Sequence, residues 1–325
     1  MNAVVCSAYG APENLAVQRI DKPSPGAGQL LVEVKAASVT FPDTLILQNK
    51  YQFTVQTPYV PGGQVAGVVA DVGEIVTDFS VGDSVICWLG IHGGMAAYAV
   101  ADASQSIAVP DGLDLADSVG LSYAYGTTLY ALKYRAAIQP GETLLVLGAG
   151  GNLGLTAVQL GTLLGARVIA AASTSDKLDR AQEAGAVDTI NYSLQDLKEW
   201  AKELTDGRGV DAVFDVVGGP YTEPAVRSLG WGGRLLTVGF TAGIPSIPLN
   251  LTLLKGCQIV GVNWGGLARQ DRSMRDAVLA ETLELAVAGG FEPQISGRYP
   301  LEQAGEALRT LMDGNAMGAI ILEPS

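Results

Sequence analysis

The run Leu144-Leu145-Val146-Leu147-Gly148-Ala149-Gly150-Gly151-Asn152-Leu153-Gly154-Leu155 constrains the fold more than any other part of the chain, because an apolar strand passes directly into a glycine-rich turn and then a helix. Such a turn needs small residues at fixed offsets. Gly148 or Ala149 allows the tight turn, Gly151 lets backbone approach a pyrophosphate, and Gly154 lets the helix pack close to the strand. The spacing predicts a helix over 152–164 whose first amides, those of Asn152 and Leu153 among them, point at the phosphates. The glycine pattern alone is weak. Its context makes it a dinucleotide site, since an apolar strand precedes it and Arg167-Val168-Ile169-Ala170-Ala171-Ala172 supplies the next strand at crossover distance.

The same alternation continues downstream. Strands are expected at 143–148, 167–172, 187–190, 210–215, 233–238 and 258–262, with helices at 176–184, 194–204 and near 221–229. Six strands with intervening helices make a doubly wound parallel sheet. The first 120 residues differ, with short alternating runs at 29–35, 64–72 and 84–88 broken by Pro23, Pro25, Pro42, Pro58 and Pro61. They read as an antiparallel, barrel-like β domain. Helices at 274–288 and 301–312 and a last strand at 319–322 follow, and that strand is placed back in the first domain. The expected division is therefore 1–122 with 266–325, and 123–265.

A chain of 325 residues, 48% hydrophobic and with 41 glycines, is long enough for two domains with cores of their own. Its net charge of −13, with no Lys/Arg cluster, argues against nucleic acid or an anionic membrane as partner. No run approaches the roughly 18 apolar residues of a membrane span, and no signal-like segment opens the chain, so a cytoplasmic location is expected. Cys6, Cys87 and Cys257 are scattered and odd in number, which favours reduced thiols over disulfides.

Several separate segments resemble one family, the zinc-free quinone oxidoreductase (zeta-crystallin-like) branch of the medium-chain dehydrogenase/reductase superfamily. They are Val39-Thr40-Phe41-Pro42-Asp43-Thr44, Tyr51 with Pro58-Tyr59-Val60-Pro61-Gly62, Val81-Gly82-Asp83-Ser84-Val85, Tyr125-Gly126-Thr127-Thr128, the glycine turn, and Asp215-Val216-Val217-Gly218-Gly219. The stretch from Gly233 to Gly265 is similar to the subset that includes acryloyl-CoA reductases. The resemblance covers essentially the whole chain. It implies a GroES-like β-barrel catalytic domain joined to a Rossmann sheet, an α/β protein that forms a homodimer. Two departures fall near the substrate: the family commonly has Asn where Thr40 stands, and Arg-x-Gly-x-Tyr where this chain reads Leu47-Gln48-Asn49-Lys50-Tyr51.

A catalytic zinc needs Cys and His ligands with an open coordination position. The corresponding segments read Ser38-Val39-Thr40-Phe41-Pro42-Asp43 and Pro61-Gly62-Gly63-Gln64, and His92 is the only histidine, so no metal site is expected. Hydride transfer to an activated C=C or a quinone then fits better than alcohol oxidation. For the cofactor, an NAD site places an acid after the second strand, where this chain carries Ser173-Thr174-Ser175. Lys177 and Tyr192 are, by resemblance, contacts of a 2′-phosphate. NADPH is the expected cofactor, with Asp176 as the rival acid for NAD or a helix-start residue.

By resemblance Thr127 approaches the nicotinamide; otherwise it is a helix N-cap. Val217, Val238, Gly239 and Phe240 follow strand ends, where open α/β sheets bind ligands, and Trp264 either walls the pocket or fills the core. Tyr51 donates to a substrate oxygen or is a packing residue with a wet hydroxyl. Asp43, with Thr40, is a catalytic candidate whose alternative is a structural acceptor for local amides. The expected activity is an NADPH-dependent reductase of quinones or α,β-unsaturated carbonyl compounds. An acryloyl- or enoyl-CoA reductase and a nucleotide-binding structural or RNA-binding protein are the alternatives.

Overall fold

Glycine- and proline-rich punctuation divides the first 120 residues into separate strands. The computed structural model describes residues 1–324; Ser325, the last residue of the expected first-domain range, and the side chain of Ala268 lie outside the described residues. With strands numbered in chain order, this region contains β1 (Asn2–Cys6), β2 (Leu15–Arg19), β3 (Gln29–Val39), β4 (Gln64–Val72), β5 (Ser84–Trp88), β6 (Tyr98–Asp102) and β7 (Ser106–Ala108). β1 and β2 form a hairpin ladder. The others join β14 (Ile295–Pro300) and β15 (Ala319–Glu323) in a sheet of order β14-β15-β3-β4-β5-β7, with β6 also on β3. β3 holds this sheet together. It pairs with β4 along one edge, and along the other with β6 through residues 29–33 and β15 through residues 37–39. Two register shifts in the β3–β4 ladder bend the strand so that one edge can serve two partners. The last strand does return to this region, antiparallel to β3.

The second region is the parallel sheet: β8 (Thr143–Leu147), β9 (Arg167–Ala172), β10 (Asp188–Asn191), β11 (Val210–Asp215), β12 (Leu229–Thr237) and β13 (Gln258–Gly261). Their order is β10-β9-β8-β11-β12-β13, every pairing parallel. The central strands are mostly apolar because helices cover both faces; all five residues of β8 are buried. Strand order reverses between β8 and β11, the kind of switch point at whose carboxyl ends open parallel sheets bind ligands.

The chain divides into Met1–Ser122 with the segment from Ile295 onward, and Tyr123–Gln294. This corrects the expected return at residue 266. The helix Arg272–Val287 packs on the helical segment Gly126–Leu129, and Tyr134 donates to Glu281 at 2.9 Å, so residues 266–294 belong with the parallel sheet. Among the described residues no helix is long and apolar enough to cross a membrane, and the three cysteines are free and buried.

One ion pair fixes the amino-terminal end of β8. Arg234 on β12 donates to both carboxylate oxygens of Glu142, at 2.8 and 2.5 Å, and to the carbonyls of Ala136 and Asp211. Both side chains are mostly buried. Arg234→Met leaves Glu142 uncompensated and should cost about 2–3 kcal/mol of unfolding free energy, measured by urea denaturation, with Glu142→Gln costing less.

Candidate cofactor and catalytic sites

The glycine turn works through steric exclusion at three positions. Gly148 has φ 69°, and a Cβ there would lie 2.9 Å from Val216 Cγ2 and 3.0 Å from Val217 Cγ2. It, rather than Ala149, makes the turn, and it brings the β8 and β11 loops together at the switch point. A Cβ on Gly154 would overlap the Gly148 carbonyl oxygen and lie 2.7 Å from Ala149 Cα. Gly150, which the motif left without a role, is held small by the Cα, Cβ and Cγ of Lys177. Gly151 differs: a Cβ there would meet only the Gly148 oxygen, at 3.5 Å, so its outer face is open.

The amides sort in the same way. Ala149 N–H donates to Ala171 O and Gly151 N–H to Gly148 O, so neither is free for a phosphate. The helix Asn152–Leu163 starts without a side-chain cap and without an acid in its first turn. Its first amides, at Asn152, Leu153 and Gly154, precede the first helical hydrogen bond, from Leu155 to Gly151. They form an anion-accepting end beside the open face of Gly151.

Parallel pairing of Asn191 with Ala172 sets the ends of β9 and β10 side by side, bringing Ser173 and Tyr192 together. Burial raises the Tyr192 phenol pKa, nearby Tyr221 adds to the shift, and a hydrogen bond with Ser173 opposes it. The Tyr192 ring packs on Tyr221, a contact not foreseen from the sequence, with centroids 4.5 Å apart. Lys177, half-buried in the helix Ser175–Glu183, has no ion-pair partner among the described residues. Its stem is fixed by Gly150 and its ammonium is uncommitted.

Buried polar atoms give a second signal. Thr127 Oγ1, Asn152 Oδ1 and Trp264 Nε1 are buried without a hydrogen-bond partner. Thr127 is not an N-cap. It lies inside the helical segment Gly126–Leu129, flanked by wider π-wound turns at Leu121–Tyr125 and Tyr130–Arg135. A helical threonine ordinarily satisfies its hydroxyl on a carbonyl one turn back, and Thr127 does not. Its neighbour Thr128 pairs with Thr156 at 2.8 Å, joining this segment to the helix after the glycine turn. The Trp264 ring lies against Gly126, where a Cβ would be 2.9 Å from Cζ2. An unmade hydrogen bond at a buried group costs about 1–3 kcal/mol, and a polar ligand would remove that cost.

Asp215 ties the two neighbouring loops together. It accepts from the amides of Val217 and Gly218, each at 2.9 Å, and from Thr222 Oγ1 at 2.6 Å, while its carbonyl accepts from Val238 and Gly239. Val217 is thereby buried and Phe240 left exposed. The Asp-Val-Val-Gly run is therefore a loop clamp, a role that its acidic residue hid in the sequence.

In the first unit Thr40 caps the helix Phe41–Leu47. Its amide and hydroxyl both donate to Asp43 Oδ2, at 2.8 and 2.6 Å. Asp43 is 4% exposed, and burial pushes its carboxyl up to about 6 against the opposing bonds from Thr40 and the Gly62 amide. Tyr51 is half-buried on the following loop, its ring tilted against Phe53 at 6.2 Å. His92 is exposed, with its ring edge-on to Tyr59. Among the described residues no group of three or more His, Cys, Asp or Glu could hold a metal ion.

Two family models match the chain: "Alcohol dehydrogenase GroES-like domain" over residues 26–111 and "Zinc-binding dehydrogenase" over residues 152–282. A quinone oxidoreductase-like protein 2 homolog of Nematostella vectensis is 36% identical over 98% of this chain and 88% of its own length. The crystal structure of Escherichia coli quinone oxidoreductase complexed with NADPH superposes with a TM-score of 0.92, 27% identity and full coverage of both chains. That of mycobacterial Rv1454c complexed with NADPH gives 0.91 and 29%, again over both full chains. The donor set at the described residues does not fit the zinc that one model's name implies.

The Asp43 carboxyl makes stability depend on pH with a defined sign. Its folded value, about 6, stands above the ordinary 3.8, so the unfolded chain releases this proton first as pH rises. Its contribution is intact below about pH 4 and is lost as pH rises through about 6, a loss of about 3 kcal/mol. Relative to Asp43→Asn, the wild type should lose stability between pH 4 and 7, read as the difference in Tm; a constant difference would mean the carboxyl titrates normally.

Proposed function

The chain belongs to the quinone oxidoreductase branch of the medium-chain dehydrogenase/reductase superfamily, and from that premise we propose that it is an NADPH-dependent, zinc-free reductase of quinones or the activated C=C of α,β-unsaturated carbonyl compounds. The observation that carries this reading is the set of buried, unpartnered atoms Thr127 Oγ1, Asn152 Oδ1 and Trp264 Nε1 in the unit that also holds an uncapped helix start after the glycine turn. NADPH fits these residues, as it does the two similar structures that contain it.

The amides of residues 152–154 bind the pyrophosphate, while Lys177, Ser173 and Tyr192 surround a 2′-phosphate that NADH lacks. Thr127 and Trp264 supply one acceptor-donor hydroxyl and one donor to orient the polar end of the nicotinamide. Bound there, the reduced nicotinamide supplies a hydride. The Tyr51 hydroxyl donates to the substrate oxygen, where negative charge develops in the transition state. A cytoplasmic homodimer completes the reading. Its support is the free edge of β13 with the exposed Trp231, Leu253 and Leu254 nearby, an apolar surface that a second copy would cover.

Three outcomes test this. Lys177→Met keeps the stem packed on Gly150 and removes the charge, so NADPH should bind about 10- to 100-fold more weakly with little change for NADH; equal losses would assign Lys177 to the fold. In a screen across quinones, enones and enoyl-CoAs, C4-deuterated NADPH should label an enone product at the β-carbon. Label at the carbonyl carbon would show alcohol-dehydrogenase chemistry instead. Tyr51→Phe should lower turnover about tenfold or less, the contribution of one hydrogen bond that water can replace.

A further inference from the structure

The rings of Tyr192 and Tyr221 meet with centroids 4.5 Å apart and planes inclined at 47°, and the proposed reaction leaves Tyr221 without a role. Tyr192 follows β10 and Tyr221 ends the short turn Gly219–Tyr221 after β11, both within the second unit.

We propose that Tyr221 is a positioning residue for NADPH, whose ring holds the Tyr192 phenol in the place from which it donates to the 2′-phosphate. The proposal rests on the preceding assignment of Tyr192 to that phosphate. It adds the residue through which the assignment becomes selective.

Tyr221 is delivered by a loop with little freedom. Asp215 accepts from the Val217 and Gly218 amides, each at 2.9 Å, and from Thr222 Oγ1 at 2.6 Å, so one carboxylate grips the chain on both sides of Tyr221. The same loop is pinned to the loop after β12. The Gly219 amide donates to the Gly243 carbonyl and the Ala242 amide to the Val217 carbonyl, both at 2.7 Å. Gly218 and Gly219 have φ of 71° and 54°, and a Cβ on them would lie 2.6 Å from Gly243 O and 2.5 Å from Ala242 O. Only glycines allow the two loops to press together in this way.

Tyr192 is the less constrained partner. Its amide donates to the Ala172 carbonyl at 3.1 Å, which fixes the backbone at the end of β10 but not the ring. Its hydrogen bond with Ser173 lowers the pKa of the phenol, which is the effect of a donor on the phenol oxygen. Ser173 therefore gives its hydrogen to Tyr192, and Tyr192 keeps its own for another acceptor. Burial, with Tyr221 and Asp215 nearby, raises the pKa, so the phenol stays protonated in neutral solution. A protonated phenol donates to an anion, whereas a phenolate would repel it. Such a donor must be aimed, because a hydrogen bond weakens steeply when misaligned and a half-buried ring can change rotamer. Contact with the ring of a clamped loop removes that freedom.

The test is calorimetric binding of 2′,5′-ADP and 5′-AMP to the full chain, ligands that differ only in the 2′-phosphate and need no hydride acceptor. The wild type should bind 2′,5′-ADP more tightly. Tyr192→Phe should weaken 2′,5′-ADP about tenfold and leave 5′-AMP within about twofold. Tyr221→Ala should do the same, and Tyr221→Phe, which keeps the ring, should bind both ligands as the wild type does. Added to Tyr192→Phe, Tyr221→Ala should cost no more than about twofold further, since no hydroxyl remains to be aimed. No loss in Tyr221→Ala, equal losses for both ligands, a further tenfold loss in the double variant, or a Tyr221→Phe as weak as Tyr221→Ala would each overturn the positioning role alone. A wild type that does not distinguish the two ligands, or a Tyr192→Phe that binds both unchanged, would remove the 2′-phosphate assignment and the positioning role with it. Should Tyr221→Ala fail to fold, Tyr221→Leu keeps apolar bulk without a planar ring and is read in the same cycle.

Discussion

Much of the cofactor-facing architecture depends on the contact between Gly154 and the Gly148 carbonyl. Any side chain at residue 154 would occupy the space of that oxygen, so the helix after β8 can begin where it does only because the position has none. That placement directs the uncapped first amides of the helix to the carboxyl end of the sheet. It also leaves room on the other side of the turn for Lys177 to lie across Gly150. A shift of the helix by one carbon atom would displace both the amides and the lysine.

Buried polarity takes two forms in this protein, and unpartnered buried atoms occur in both units, Ser38 Oγ and Tyr59 Oη among them. In the second unit three polar atoms on three separate elements are buried without partners, although the large majority of such atoms in native proteins have one. Each such atom gives up stabilisation that a polar ligand can restore. In the first unit Asp43 is the reverse case, a buried carboxylate supplied with amide and hydroxyl donors that still do not offset the loss of water. The hydrogen bonds that cap the helix thus also set the proton affinity of the group.

Much of the architecture was legible in the chain. The alternation of apolar runs and helices located the parallel strands to within a few residues, and the extended runs 64–72, 84–88, 167–172 and 210–215 coincide with observed strands. Other elements were not. Ile295–Pro300, which contains glycine, arginine and proline, was not among the expected strands, yet it pairs in parallel with β15. The segment 266–294 looked like part of the first domain, because the apolar face of a helix does not say which core it enters.

The sequence by itself determined the dinucleotide-binding turn, the order of strands in the parallel sheet, and the absence of a Cys/His set at the positions a zinc would need. These depend on spacing and residue type, which are local. Only the tertiary structure decided that Gly148 makes the turn, that Ala149 and Gly151 spend their amides within the protein, and that Ser173 meets Tyr192. It also decided that Thr127 is an unpartnered helical residue and that Asp43 is a weakened acid. The physical reason is common to all of these: hydrogen-bond partners and burial are set by segments far apart in the chain, and neither can be read from a residue and its immediate neighbours.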